Sequence, residues 1–233
     1  MQYGGLLLDL DPETFGRPIG TEDCLYLNIW RPGKEKKNLP VFSYNHGGLN
    51  VVGEGATSLY HGANLAKKAD MIVITFNYRL GIFGAFVHEA LQTGDPLDDS
   101  GNYGFLDIIK ALQWVQQNIS FFGGDKDNVT IAGESAGAFN VVSLLASPLA
   151  RGCFHRAVSI SPMTSLYSVS MQKARKQSVS AIIRMMKNEE LAKNARACSQ
   201  MLSRKSSTWT TDYLRSKAAS ELTGMNSRSH LTC

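Results

Sequence analysis

The chain has 233 residues, of which 43% are hydrophobic; that supplies roughly 100 apolar side chains for a core and excludes a disordered or collagen-like polymer. Its 24 basic and 20 acidic residues give a net charge of only +4, unevenly placed: residues 1–163 hold 12 Lys/Arg against 16 Asp/Glu, and residues 164–233 hold 12 against 4. No stretch approaches the ~18 apolar residues of a membrane span and the opening MQYGGLLLDLDPE lacks a basic n-region, so the sequence as written is expected to be soluble and cytoplasmic, with secretion open if a leader precedes it.

In chain order, CLYLNIW from Cys24 to Trp30 is rich in strand formers, and a charged turn over Gly33 to Asn38 leads to a second strand at Val41-Phe42-Ser43-Tyr44. These read as two strands joined by a short loop. A helical segment around Leu59 to Lys68 precedes MIVITF (Met71 to Phe76), a nearly continuous apolar run expected to be a strand buried on both faces. Gly94 to Gly104 reads as a loop; then Phe105, Ile108, Ile109, Leu112, Val115 and Ile119 recur at helical spacing, with Asp107 early enough to suit the helix dipole. Phe121 to Asp125 breaks that helix. Val129 to Ala132 is a short strand, Ser135 to Ala146 a helix of small residues ended by Ser147-Pro148, and Ala157 to Ile160 one more strand. Such alternation implies an α/β sheet with mostly parallel strands.

Beyond Pro162 the alternation stops. Val179, Ile182, Ile183 and Met186, then Leu191, Ala195, Cys198 and Leu202, fall at helical intervals, so the basic tail is expected to form two or three amphipathic helices. We therefore divide the chain into a core, 1–162, and a helical tail, 163–233. The tail's charge reads as a solvated helix face; the alternative, a polyanion site, would want aromatics interleaved with the basic residues, and only Trp209 and Tyr213 are so placed. No nucleic-acid partner is expected. Cys24, Cys153, Cys198 and Cys233 match neither a disulfide framework nor paired zinc ligands, and read mostly as free thiols.

The chemistry concentrates in Gly133-Glu134-Ser135-Ala136-Gly137, directly after one strand and before a helix. Alone, G-x-S-x-G is weak, since chance supplies it in roughly one chain in twelve of this length. Its position is informative, because a nucleophile elbow turns so tightly that the residues two before and two after the serine cannot carry side chains. The bland alternative is a glycine-rich turn with an exposed serine. Asn45-His46-Gly47-Gly48-Leu49 follows the earlier strand in the same way. Attack on an ester drives charge onto the carbonyl oxygen, and backbone N–H groups about 3 Å away stabilise it. Gly48, Leu49 and Ala136 are the expected donors to that oxyanion.

Glu22 to Pro32 (EDCLYLNIWRP), the HGG loop, Asn77-Tyr78-Arg79-Leu80-Gly81-Ile82-Phe83-Gly84, Ala111-Leu112-Gln113-Trp114-Val115, and Phe122-Gly123-Gly124 through Gly137 stand in an order that resembles the type-B carboxylesterase family, which includes para-nitrobenzyl esterases and cholinesterases. The resemblance runs from about residue 20 to 162 and faintly on to Tyr213-Leu214-Arg215-Ser216-Lys217. It implies an α/β-hydrolase fold and hydrolysis of small-molecule carboxylic esters, with Ser135 as nucleophile and an acyl-enzyme intermediate. It further implies that Gly48, Leu49 and Ala136 donate to the oxyanion, that Glu134 lines the pocket and holds a water network, and that Ser161 sits behind the site. Arg79 and Asp107 match a buried structural ion pair. No metal or organic cofactor is implied.

Members of that family are more than twice this length and place their acid and then their histidine far beyond the serine. After Ser135 this chain offers Glu189, Glu190, Asp212, Glu221 and His230, with no strand pattern to carry a catalytic loop; His46, His61, His88 and His155 fall at the wrong places in the family order. The resemblance therefore implies a truncated member, with Cys24 lacking its usual upstream partner. Its sheet would keep exposed edges, open to a missing segment or another chain. A non-catalytic interaction module and an inactive fragment are the alternatives. Leu49 and Asn50 stand where Gly or Ala and an apolar residue are usual, and Pro162 where glycine is common. Asn118-Ile119-Ser120 and Asn128-Val129-Thr130 fit the glycosylation pattern, which matters only in a secreted chain.

Overall fold

The computed structural model describes residues 2–3, 18–19, 21–33, 35–162 and 169–187. Strands β1 (Gln2–Tyr3) and β2 (Pro18–Ile19) form a small antiparallel pair. Among the described residues the main sheet has five strands: β3 (Leu27–Trp30), β4 (Leu39–Asn45), β5 (Ile72–Phe76), β6 (Gly124–Glu134) and β7 (Arg156–Ile160), in the spatial order β3-β5-β4-β6-β7. Only β3 runs antiparallel; the other neighbours are parallel. The helices are α1 (Ala63–Ala69), α2 (Gly81–Gly84), α3 (Tyr103–Asn118), α4 (Ala136–Ala146) and α5 (Met171–Lys187).

The first two expected strands do not lie side by side, because β5 inserts between β3 and β4. A parallel strand needs a crossover, and α1 supplies it between β4 and β5; β3 is left to pair with the far edge of β5. The Asn28 amide fixes that register by donating to Thr75 Oγ1 at 3.1 Å. All five residues of β5 are buried, as its nearly continuous apolar run predicts. Each large side chain so buried contributes about 1.5–3 kcal/mol.

Helix α3 begins at Tyr103, inside the expected loop, and buries Ile108, Ile109, Leu112 and Val115; Ile119 follows in a 3-10 turn. They join Val41, Ile72, Ile74 and Ile131 of the sheet in one core. Strand β6 is far longer than the four residues read from the sequence, because Gly124 to Asn128 extend it past Val129.

Helix α3 starts at Tyr103, so Asp107 falls past its first turn, which holds no acid, and the Asp107 charge serves Arg79 rather than the helix dipole. Asp107 accepts from Arg79 Nε and an Arg79 terminal nitrogen, each at 2.8 Å, and from the Arg79 backbone N–H at 3.0 Å. Burial pushes its carboxyl up, and the Arg79 hydrogen bonds and charge oppose that push. The implied ion pair is present, tying the segment after β5 to α3.

In the tail, α5 runs from Met171 to Lys187, and the Ser178 hydroxyl, buried, accepts from Val87 N–H at 3.2 Å. The helix expected from Leu191 to Leu202 lies outside the described residues, as do the side chains of Val179, Ile182, Ile183 and Met186. Among the described residues no helix is long and apolar enough to cross a membrane.

Candidate active site

Strands β4 and β6 are neighbours, with Asn45 opposite Gly133 at their carboxyl ends. From there the chain departs in opposite directions, from β4 through α1 to β5 on one side, and from β6 through α4 to β7 on the other. A crevice opens where connections diverge in this way, just beyond the strand ends, and it is where open α/β sheets bind ligands. Both motifs singled out in the sequence, the HGG loop and G-x-S-x-G, emerge at that point.

Ser135 sits between β6 and α4 with φ 55° and ψ −118°. A non-glycine residue there costs on the order of 1–3 kcal/mol and persists only because its surroundings hold it. Its N–H donates to Ile160 O of β7 at 3.0 Å, and its own carbonyl accepts from Phe139 N–H at 3.0 Å to start the helix. A Cβ at Gly133 would lie 2.4 Å from Gly137 C and O; one at Gly137 would lie 2.2 Å from Asn45 O. Both glycines are therefore required by close backbone approach, the reason inferred from the motif. The half-buried serine stands at the N-terminus of α4, where the amides of the first turn have no partner within the helix and favour negative charge.

The loop after β4 runs through three left-handed residues, Gly48 (φ 100°), Leu49 (φ 60°) and Asn50 (φ 56°). Its turn is closed by Val51 and Val52 N–H donating to Gly48 O, at 2.9 and 3.0 Å. The amides of Gly48 and Leu49 take no part in that turn. A Cβ built on Gly47 would lie 3.5 Å from Ser135 Cβ and 3.0 Å from Glu134 O, so this loop packs directly on the elbow. The Leu49 side chain is 46% exposed.

His46 is fully buried and stacks on the Tyr78 ring, centroids 4.4 Å apart. Its Nδ1 lies 2.8 Å from Gly47 O; a carbonyl only accepts, so Nδ1 carries the proton. Burial lowers its pKa to about 4, with the Gly47 bond opposing, so the ring is neutral at pH 7. The Tyr78 hydroxyl lies 2.8 Å from His46 O and 3.1 Å from Asn50 Oδ1. Asn50 and Asn140 exchange side-chain hydrogen bonds at 3.2 and 3.0 Å, and Gly81 N–H donates to Asn50 O at 2.7 Å.

Glu134 is exposed. Near it, burial pushes the Tyr44 hydroxyl up to about 12, with Tyr60 and Glu134 adding to the shift, and raises Tyr60, opposed by a hydrogen bond from the Gly47 backbone. The two rings are 5.2 Å apart. Ser161, left-handed at φ 54° and exposed, directly follows β7. Cys153 is a buried free thiol. Asn118 is buried and its amide donates to Trp114 O at 2.9 Å, so the first glycosylation pattern is closed to modification in this fold.

Among the described residues no side chain hydrogen-bonds the Ser135 hydroxyl, and no group of three or more His, Cys, Asp or Glu could hold a metal ion. His155 Nδ1 accepts from Val129 N–H at 3.2 Å, away from the elbow. The later candidates Glu189, Glu190, Asp212, Glu221 and His230 lie outside the described residues. Sequence reasoning missed Tyr60, Asn140 and the clamping role of Tyr78. Only Tyr78 carried a signal, inside the Asn77-to-Gly84 motif.

A parallel sheet with an elbow serine and a glycine loop at its switch point defines an α/β hydrolase, and the comparisons agree. The model of the carboxylesterase family matches residues 7–232, and the chain belongs to that family. It is 46% identical over 164 residues to the para-nitrobenzyl esterase of Bacillus subtilis (strain 168), covering 70% of this chain and 32% of that protein. To the fumonisin B1 esterase of Sphingopyxis macrogoltabida it is 50% identical over 148 residues, covering 63% and 27%. Among solved structures, a PNB esterase superposes with a TM-score of 0.66 at 37% identity, covering 80% of this chain and 39% of the other. A carboxylesterase of Geobacillus stearothermophilus gives 0.65 at 38% identity, covering 82% and 41%. The chain spans about a third of the length of the curated relatives it matches.

Proposed function

We propose that this chain carries the nucleophile and the oxyanion cradle of a carboxylic-ester hydrolase. Ser135 attacks the ester carbonyl, and the amides of Gly48, Leu49 and Ala136 hold the tetrahedral oxyanion; each such donor is worth about 2.7–4 kcal/mol in the transition state. The alcohol leaves, and water then releases the acid from the acyl-serine. Glu134, exposed beside the loop, orders water at the pocket mouth. His46 is not the proton acceptor, since its Nδ1 is committed to Gly47 O and the ring is buried.

The observation that carries this reading is the left-handed Ser135 at the head of α4, with Gly47 of the facing loop packed against its Cβ. A nonfunctional turn has no reason to keep a strained serine there. The second reading, a non-catalytic interaction module, is favoured by the absence of a described side chain on the Ser135 hydroxyl. A fluorophosphonate probe separates the two: we expect labelling of the purified chain that disappears in Ser135→Ala. Labelling that survives the substitution, or none in either protein, overturns autonomous serine reactivity and leaves the interaction module.

A further inference from the structure

The proposed cradle has two halves on different elements, the loop after β4 and the first turn of α4, and their spacing must be held to a fraction of an ångström to serve one oxyanion. The loop half is intrinsically poorly held, since Leu49 and Asn50 adopt φ 60° and 56° in a half-exposed segment. One set of contacts joins it to the helix half. Asn50 Nδ2 donates to Asn140 Oδ1 at 3.2 Å, and Asn140 Nδ2 donates to Asn50 Oδ1 at 3.0 Å. Asn140 is buried on α4, one turn past the serine. Asn50 Oδ1 also faces the Tyr78 hydroxyl at 3.1 Å, and that hydroxyl's single proton is shared between it and His46 O, 2.8 Å away at the loop's entry. Asn50 O accepts from Gly81 N–H at 2.7 Å.

We propose that the reciprocal Asn50–Asn140 amide pair, completed by Tyr78, is the positioning device that sets the distance between the Gly48/Leu49 amides and the Ala136 amide. Its residues touch no substrate; they act through the backbone that carries the donors. Asparagine suits both duties at position 50, because it tolerates the left-handed region and offers a donor and an acceptor at once. This rests on the cradle reading given above.

The test uses Asn140→Leu, which keeps the branched outline and removes both bonds, Asn50→Asp, which keeps the acceptor toward Asn140 Nδ2 and Tyr78 but loses the donor to Asn140 Oδ1, and the double variant Asn50→Asp/Asn140→Leu. Two readouts are needed: the second-order rate of fluorophosphonate labelling at Ser135, and hydrogen exchange at the amides of 47–52 compared with those of β5. For Asn140→Leu we expect about tenfold slower labelling and about tenfold faster exchange confined to the loop, with β5 protection unchanged. Asn50→Asp should also slow labelling, because its second oxygen opposes Asn140 Oδ1, and the double variant should lose less than the two single losses combined. Unchanged loop exchange in Asn140→Leu, exchange that rises equally in β5, or strictly additive losses would overturn the proposal. If the parent chain is not labelled, autonomous serine reactivity fails as above, while loop exchange still decides whether the pair holds the loop.

Discussion

Strands β5 and β7 are both five residues long, both paired in parallel with a neighbour, β4 and β6 respectively, and both largely apolar, IVITF and RAVSI; every residue of the first is buried and every residue of the second is exposed. The difference lies in what surrounds them. β5 has a strand on each side and the Ile108, Leu112 and Val115 face of α3 in the same core, whereas β7 ends the described sheet with Val158 and Ile160 at 42% and 48% exposure. Burial is thus a property of the neighbourhood, and the candidate site draws on both kinds. Its loop and elbow leave the covered β4–β6 seam, while the serine's own N–H is anchored to Ile160 O on the exposed strand.

Substitutions on the two sides sharpen that contrast. The largest loss should come from Asp107→Ala, which strands a mostly buried Arg79 guanidinium: about 3–5 kcal/mol, read from the urea midpoint. Ile74→Ala, in the middle of β5, should cost about 2–5 kcal/mol in the same measurement through the cavity it leaves.

An acid titration reports the seam as well. His46 is held near pKa 4 in the fold against about 6.5 when unfolded, so between those values the unfolded chain binds the extra proton and stability falls as pH drops. The loss should reach up to about 3 kcal/mol by pH 4, and His46→Phe, which keeps a ring on Tyr78, should flatten the slope of midpoint against pH in that window. A slope unchanged in the variant would assign it to other groups.

Gly137→Ala inverts an ordinary rule. In a helix the change usually stabilises by about 1 kcal/mol, but here the new carbon would meet Asn45 O at 2.2 Å, a backbone atom that cannot yield cheaply. We expect a net loss of about 1–3 kcal/mol and slower labelling of Ser135. Val158→Ala on β7 should change stability by no more than about 0.5 kcal/mol; a loss comparable to that of Ile74→Ala would mean that β7 is covered in solution.

Much of this was legible in the residues. MIVITF announced a buried strand because only Thr75 interrupts its apolar run and no charge does, and Gly133 and Gly137 announced the elbow because no other residue type fits where two backbones touch. The neighbours of β3 were not legible, since period-two alternation describes faces and is silent about edges. Nor were Asn140 and Tyr60, single polar residues without periodic partners whose roles exist only through the loop they meet.

Local sequence decided what each segment is, strand, helix or strained turn, because backbone sterics and hydrophobic spacing act over a few residues. Which segments lie beside one another was settled only by the folded sheet. Asn45 and Gly133 are far apart along the chain and opposite each other in space. Their meeting is what brings a loop of left-handed residues against a serine, and no short-range rule encodes it, because it depends on crossovers that must bury both faces of the strands between them.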